Sequence, residues 1–254
     1  MNKFNKISLA LLATTFATGA IATETETQKE VQDMSDPLAV FTQAGVGVTN
    51  KGLNLKIGKT YDTGSDVKMG MNLIEVKGFG GEALGWDGSS AKDNSIDSFR
   101  FRNFTVDTTN GRGAQIDMNY DVEAEALDAS YSFIQALPKF GFVQLYPLAG
   151  AGVRVANDAD VGYTAQGTYA LVGTYSKITI TDKIWLNYNP MYLSTLSGSD
   201  SFKETGFGED SIFLHEFAAS YQISPIMNVR YFANWDEHNS FGEGDHRVEF
   251  NYQF

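Results

Sequence analysis

From Phe41 onward the chain runs in short stretches of period-two alternation, apolar then polar, separated by Gly, Asn, Asp and Pro. Such stretches put alternate side chains on opposite faces of a strand, and the turn residues between them mark antiparallel hairpins. The first carries Val46 and Val48 and meets Asn50-Lys51-Gly52, after which Leu53, Leu55 and Ile57 continue on the opposite parity. A one-residue change of parity would send each apolar side chain to the wrong face, so a turn must intervene. Val67, Met69, Met71 and Leu73 form a third run. Phe99 and Phe101 mark the fourth, joined through Thr109-Asn110-Gly111-Arg112-Gly113 to Ile116, Met118 and Tyr120. The same test finds a turn near Glu123 to Glu125. Apolar residues hold even positions up to Val122 but odd ones from Leu127 through Ala129, Tyr131 and Phe133.

The later connections alternate in length. Leu137-Pro138-Lys139, Thr181-Asp182-Lys183 and Ser224-Pro225 are tight, whereas 156–162, 197–208, 237–244 and the earlier 80–95 are longer and rich in Gly, Asp, Glu and Ser. The rhythm predicts an all-β, antiparallel, up-and-down barrel of about twelve strands, with ten or fourteen also compatible. Strands of roughly 9–11 residues suffice to cross a bilayer when tilted.

Both ends of the chain bear on where such a barrel sits. Lys3 and Lys6 precede a short apolar stretch, Ile7 to Phe16, and Ala20-Ile21-Ala22 supplies a small-x-small cleavage pattern, so residues 1–22 read as a secretory signal peptide. At the other end Val248, Phe250, Tyr252 and Phe254 alternate with polar residues up to an aromatic terminus. This pairing of leader and terminal strand resembles the outer-membrane β-barrels of Gram-negative bacteria. In that family such a C-terminal strand is the segment read by the barrel-assembly machinery. The resemblance implies an integral outer-membrane protein with short periplasmic turns, longer extracellular loops and both termini periplasmic. It assigns residues 23–39 to a periplasmic tail and 40–254 to the barrel. The tail, with Glu24, Glu26, Glu30, Asp33 and Asp36, reads as mobile, and a role in plugging the lumen is open. Barrels of about this size include oligogalacturonate porins, the nucleoside channel, the outer-membrane phospholipase and autotransporter translocators. No motif of one subfamily stands out.

Composition narrows the classes further. There is no cysteine, so neither a disulfide framework nor thiol chemistry applies. The net charge is −12, and losing Lys3 and Lys6 with the leader makes the chain more acidic still, against the basic stripe of a nucleic-acid binder. Tyr120, Tyr146, Tyr163, Tyr188, Tyr192, Tyr231 and Trp235 lie near strand ends, where amphipathic rings suit interfacial girdles.

Sending the apolar set to lipid fixes what points inward. The candidate pore-lining residues are Arg100, Arg102, Asp117, Asn119, Asp121, Asp128, Arg154, Arg230, Arg247 and Glu249, with Asn187 on the same parity. A hairpin centred on Asn110-Gly111 would set Arg100 near Asp121 and Arg102 near Asn119. Walls carrying both signs of charge suit either a water-filled path that selects solutes or a paired network that fills the lumen. Acidic oligosaccharides would call for a more uniformly basic wall, so neutral or cationic small solutes fit better.

Catalysis needs a nucleophile and a base within hydrogen-bond reach. The histidines are His215, His238 and His246; His215 shares parity with Phe213 and Phe217 and so faces outward. Ser240 beside His238 in a Gly-rich loop matches no hydrolase motif, and the chain reads as a non-enzyme without cofactor or metal. The loop acids (Asp158, Asp160, Glu209, Asp210, Asp236, Glu237, Glu243, Asp245) lack the spacing of a calcium loop and read as solvated surface. A lesser reading has them bridged by divalent cations to lipopolysaccharide phosphates. The expected function is passive passage of small hydrophilic solutes, with outer-membrane lipids and lipopolysaccharide as surroundings. The alternative is a closed barrel working through its loops as an adhesin, receptor or membrane-stabilising protein.

Overall fold

The computed structural model describes residues 31–81, 96–207 and 209–254. The leader expected at 1–22, the tail residues 23–30 and most of the loop expected at 80–95 lie outside the described residues. The strands begin with β1 (Gln43–Thr49), β2 (Leu53–Asp62), β3 (Lys68–Phe79), β4 (Ser98–Asp107), β5 (Arg112–Asp121), β6 (Ala126–Gln135) and β7 (Val143–Asp158). They continue as β8 (Gly162–Thr179), β9 (Ile184–Tyr188), β10 (Met191–Gly198), β11 (Ser211–Ser224), β12 (Met227–Asp236) and β13 (Asp245–Gln253). A short helix, α1 (Asp200–Thr205), lies between β10 and β11.

All pairings are antiparallel, and β1 closes the ring on β13, with Val46 opposite Phe250. Strands β9 and β10 share one place in the wall, since each pairs with β8 on one side and β11 on the other. The break between them falls at Asn189-Pro190, where proline has no N–H to give a ladder. Side chains take over there: Ser176 N–H donates to Asn189 Oδ1 at 3.0 Å, and Asn187 Nδ2 donates to the Ser176 carbonyl. The result is a closed barrel of 12 strand positions. Its first strand starts and its last strand ends at one rim, Gln43 opposite Gln253, here called the terminal rim. The other is the loop rim.

The faces are inverted relative to a soluble domain. Val46, Leu55, Ile57, Ile74 and Phe133 are exposed outside, while Asn54, Lys56, Glu75, Glu249 and Asn251 are buried inside. Closure satisfies the backbone within the sheet, which is the condition for crossing a hydrocarbon layer.

Several expectations need correction. The hairpin of β4 and β5 pairs Arg100 with Asn119 and Arg102 with Asp117, two residues away from the register read off Asn110-Gly111. Its loop is Thr108 to Gly111, closed by Gly111 N–H on the Asp107 carbonyl at 2.9 Å, with Gly111 at φ 66°. Asp107 accepts from Thr109 N–H and Oγ1, so the turn forms one residue earlier than the Asn-Gly signal suggests. The stretch 156–162 is not a long loop: β7 and β8 extend as a ribbon to Asp158 and Gly162. The tight turn read at 137–139 is opened to 136–142, with a bridge from Phe140 to Val143.

The third run faces the wrong way for a lipid contact. Met71 and Leu73 are buried inside, and Asn72 and Ile74 point out. Tyr146, read as an interfacial ring, is 1% exposed and also inside. Both corrections share a cause, the part of the supposedly mobile tail that is described. Val40 is buried against Met71 and Val106, and Leu38 packs both on that group and on the group holding Ile134, Tyr146 and Leu148. Fully burying a Val, Leu or Met side chain contributes about 1.5–3 kcal/mol. The apolar inward positions near the terminal rim therefore serve an inner segment, not the bilayer.

Candidate functional site

Inside the barrel the charged residues are layered by strand register. Arg100 clamps Asp117 in bidentate fashion, its Nε 2.8 Å from Oδ1 and its Nη2 on Oδ2. Arg102 reaches the neighbouring strand instead, placing Nη2 2.9 Å from Glu75 Oε2. Glu249 is fully buried, accepts from Lys56 Nζ and from Asn54 Nδ2 at 2.9 Å, and forms an ion pair with Arg247, whose Nε is 3.3 Å away. Arg230 donates to Ser220 Oγ at 2.9 Å and Asn187 Oδ1 at 2.8 Å. Both Arg230 and Arg247 also lie over the Phe232 ring, 4.6 and 4.2 Å from its centre. Stacking on one ring face or the other lets two like charges share a small space.

Arg154 stands nearer the loop rim. It pairs with Asp128 at 3.2 Å and donates to the Gly206 carbonyl, and its guanidinium lies 5.8 Å from the Phe207 ring. These contacts draw the β10–β11 connection inward. Phe202 of α1 is 4% exposed and packs with Tyr169 and Leu171 of β8. Ser199 caps the helix by accepting from Phe202 N–H at 3.1 Å. The room comes from Gly167: a Cβ there would stand 2.2 Å from the Phe202 ring. The segment read as an external loop at 197–208 thus covers part of the interior.

Among the described residues several cavities remain, and two of them meet at the charged layers. The one toward the loop rim has a volume of about 430 Å³ and meets Arg100, Asp117, Asn119, Asp121, Asp128 and Arg247, but also Lys51, Lys77, Asp97, Glu216 and Asp245. Its carboxylates outnumber its bases six to four. One side is polar, from β4, β5 and β6; the other carries Leu148, Tyr169, Leu171, Met191, Leu193 and Leu214. The second cavity, about 150 Å³, lies against the inner segment and reverses the balance, with five bases (Lys56, Arg100, Arg102, Arg230, Arg247) to three acids. Arg100, Tyr175, Glu216 and Arg247 line both, from β4, β8, β11 and β13, and form the waist between them.

Of the residues singled out from parity, Arg100, Asp117, Asn119, Asp121, Asp128 and Arg247 lie on the larger cavity, and Arg102 and Arg230 on the smaller. Arg154 and Glu249 are engaged in the ion pairs above. Sequence reasoning missed Glu75, Lys56, Lys77 and Glu216. Glu75 carried a usable signal: it continues the Met69, Met71, Leu73 parity, and a charge there is incompatible with a lipid-facing run. The outer face behaves differently. Val248, Phe250 and Phe254 are exposed there, and His215 stacks on Trp235 at 4.8 Å while its Nδ1 lies 2.7 Å from Tyr188 Oη. Ser240 is committed to Glu243, whose Oε2 takes its N–H and Oγ–H, so it caps the start of the 3-10 turn Phe241–Glu243. Several loop acids are likewise spent on turns: Asp158 accepts from Asp160 N–H and Asp236 from His238 N–H.

The same arrangement of strands occurs in solved structures. The COG4313 outer membrane channel from Pseudomonas putida F1 superposes with a TM-score of 0.57 at 8% identity, covering 89% of this chain and 98% of that one. The NanC porin gives 0.52 at 6% identity over 84% and 98%, and the KdgM porin in complex with disordered oligogalacturonate 0.50 at 8% over 85% and 99%. The fold is that of an outer-membrane β-barrel. No family model matches the chain, and no curated protein does. At such identities the likeness carries the architecture and leaves the lumen to be read from its own residues.

Proposed function

We propose that the protein is a porin-like channel of the bacterial outer membrane, passing small hydrophilic solutes passively. The observation that carries this is the cavity of about 430 Å³, charged along one side, inside a closed barrel whose outer face is apolar. A fixed polar wall replaces water along a solute's path, so the barrier falls without chemistry. The excess of carboxylates on that cavity favours neutral or cationic solutes over acidic ones. The fold likeness to porins and channels supports the class. The terminal rim faces the periplasm in this reading, with Val248, Phe250, Tyr252 and Phe254 engaged by the assembly machinery. The loop rim then meets lipopolysaccharide.

The test is single-channel recording of the refolded protein in a planar bilayer across a salt gradient. Discrete steps with a reversal potential of cation preference support the reading. Anion preference would keep the channel and overturn the solute class. Silence of an inserted, folded barrel that persists once the inner segment at the terminal rim is loosened would remove the channel and leave surface interaction through the loops.

A further inference from the structure

The inner segment from Asp33 to Thr42 is built differently from everything around it. Its backbone bonds within itself: Asp36 N–H to the Asp33 carbonyl at 3.1 Å, Ala39 N–H to the Asp36 carbonyl at 3.0 Å, and Leu38 N–H to Asp36 Oδ1 at 2.9 Å. Among the described residues it meets the wall's backbone at Thr42, whose carbonyl accepts from Phe254 N–H at 3.0 Å. Before that point it is held by side chains. Asp33 pairs with Lys177 of β8, Met34 Sδ accepts from Gln222 Nε2 of β11 at 3.4 Å, and Leu38 and Val40 pack on β3, β4, β6 and β7. Those contacts span the cross-section, and Met34 to Pro37 wall off the smaller cavity directly beneath Arg102 and Arg230.

We propose that residues 33–41 form a releasable plug that closes the terminal rim and sets how often the channel conducts. The proposal rests on the channel reading above. A segment that satisfied its backbone in the sheet could leave only by tearing a ladder. This one can leave as a unit, because its departure breaks one ion pair, the Gln222–Met34 hydrogen bond and a few apolar contacts, and among the described residues no backbone hydrogen bond joins 33–41 to the wall. The seat is purpose-built: the inward residues are apolar where the plug sits (Met71, Val106, Ile134, Leu148) and charged above it.

The cysteine-free chain makes the test clean. Leu38→Ser with Val40→Ser loosens the seat; Met34→Cys with Gln222→Cys, added to that pair, tethers it again on oxidation. Folding is checked by heat-modifiable migration, tether closure by thiol labelling, and the readout is single-channel conductance and open fraction. The loosened protein is expected to conduct at least threefold more than the unaltered one, and oxidation of the tethered form to restore the lower value until reductant is added. If the tether does not close, the loosened protein alone decides. Equal conductance of the unaltered and loosened proteins would overturn the plug and leave the channel standing. Silence of both, in folded and inserted barrels, would overturn the channel reading and the plug with it.

Discussion

Lys177 Nζ stands 2.8 Å from Asp33 Oδ2, so one ion pair joins the inner segment to the barrel wall across 144 residues of sequence. Burial pushes the Asp33 carboxyl up, but hydrogen bonds from Lys177 and Ser35, with the Lys177 charge, outweigh it and hold the group below the ordinary value. Lys139, Asp182 and Gln222 line the same recess. A lowered pKa in the seated state means the stabilisation is fully present above the ordinary carboxylate range, near pH 4, and is lost as pH falls through the lowered value. Conductance should therefore rise on acidification below about pH 4. Asp33→Asn should conduct at the raised level at neutral pH and lose that part of the dependence. A pH titration of open fraction in both proteins checks this, and identical profiles would sever the pair from gating.

Glu249 offers a test of what holds the middle of the barrel. Its fully buried carboxylate answers Lys56, Arg247 and Asn54 together. Glu249→Gln keeps one acceptor oxygen but leaves Lys56 and Arg247 without their counter-charge, and removing one partner of a buried pair costs about 3–5 kcal/mol. Glu249→Met combined with Lys56→Met and Arg247→Met should recover much of that loss, because the desolvation cost goes with the charges. Urea unfolding in lipid vesicles measures both. A cost below about 1 kcal/mol for the single variant would mean water already screens the network.

Selectivity should reside at the loop rim. Asp97 and Asp121 lie on the larger cavity, where carboxylates are in excess. Asp97→Asn with Asp121→Asn brings its acids and bases to parity, so cation preference should fall toward none while step size changes little. Reversal potentials across a salt gradient report it. An unchanged preference would shift selectivity to the waist of Arg100, Tyr175, Glu216 and Arg247.

Much of the wall was legible because a strand's period of two is unforgiving: parity placed β1, β2 and the turn before Ala126, where Glu125 adopts φ 46°. Legibility failed where a second layer intrudes. Met71, Leu73 and Tyr146 look like bilayer contacts by composition, and nothing local reveals that Leu38 and Val40 lie against the inside. The β10–β11 connection failed for the same reason. Phe202 is one apolar residue in a polar loop, and only the bare face of Gly167 explains why it turns inward. Side-chain pairing failed by two residues because Asp107, not Asn110-Gly111, sets the hairpin. Pattern gives faces; it does not give what fills a closed space.

That hairpin permits a sharp measurement. With the observed register Arg100 couples to Asp117, whereas a turn centred on Asn110-Gly111 would set it against Asp121. The two registers differ by two residues, so both keep every side chain on its face, and burial cannot tell them apart. Energetic coupling can. Residues in one ion pair show interaction energies of roughly 0.5–3 kcal/mol in double-mutant cycles, and unconnected residues show little. Cycles of Arg100→Ala with Asp117→Ala and with Asp121→Ala, read by urea unfolding, should give a term in that range for Asp117 and one near zero for Asp121. The reverse outcome would move the whole hairpin by two residues. It would also carry Arg102 away from Asp117 and on to Asn119, redrawing the polar side of the larger cavity.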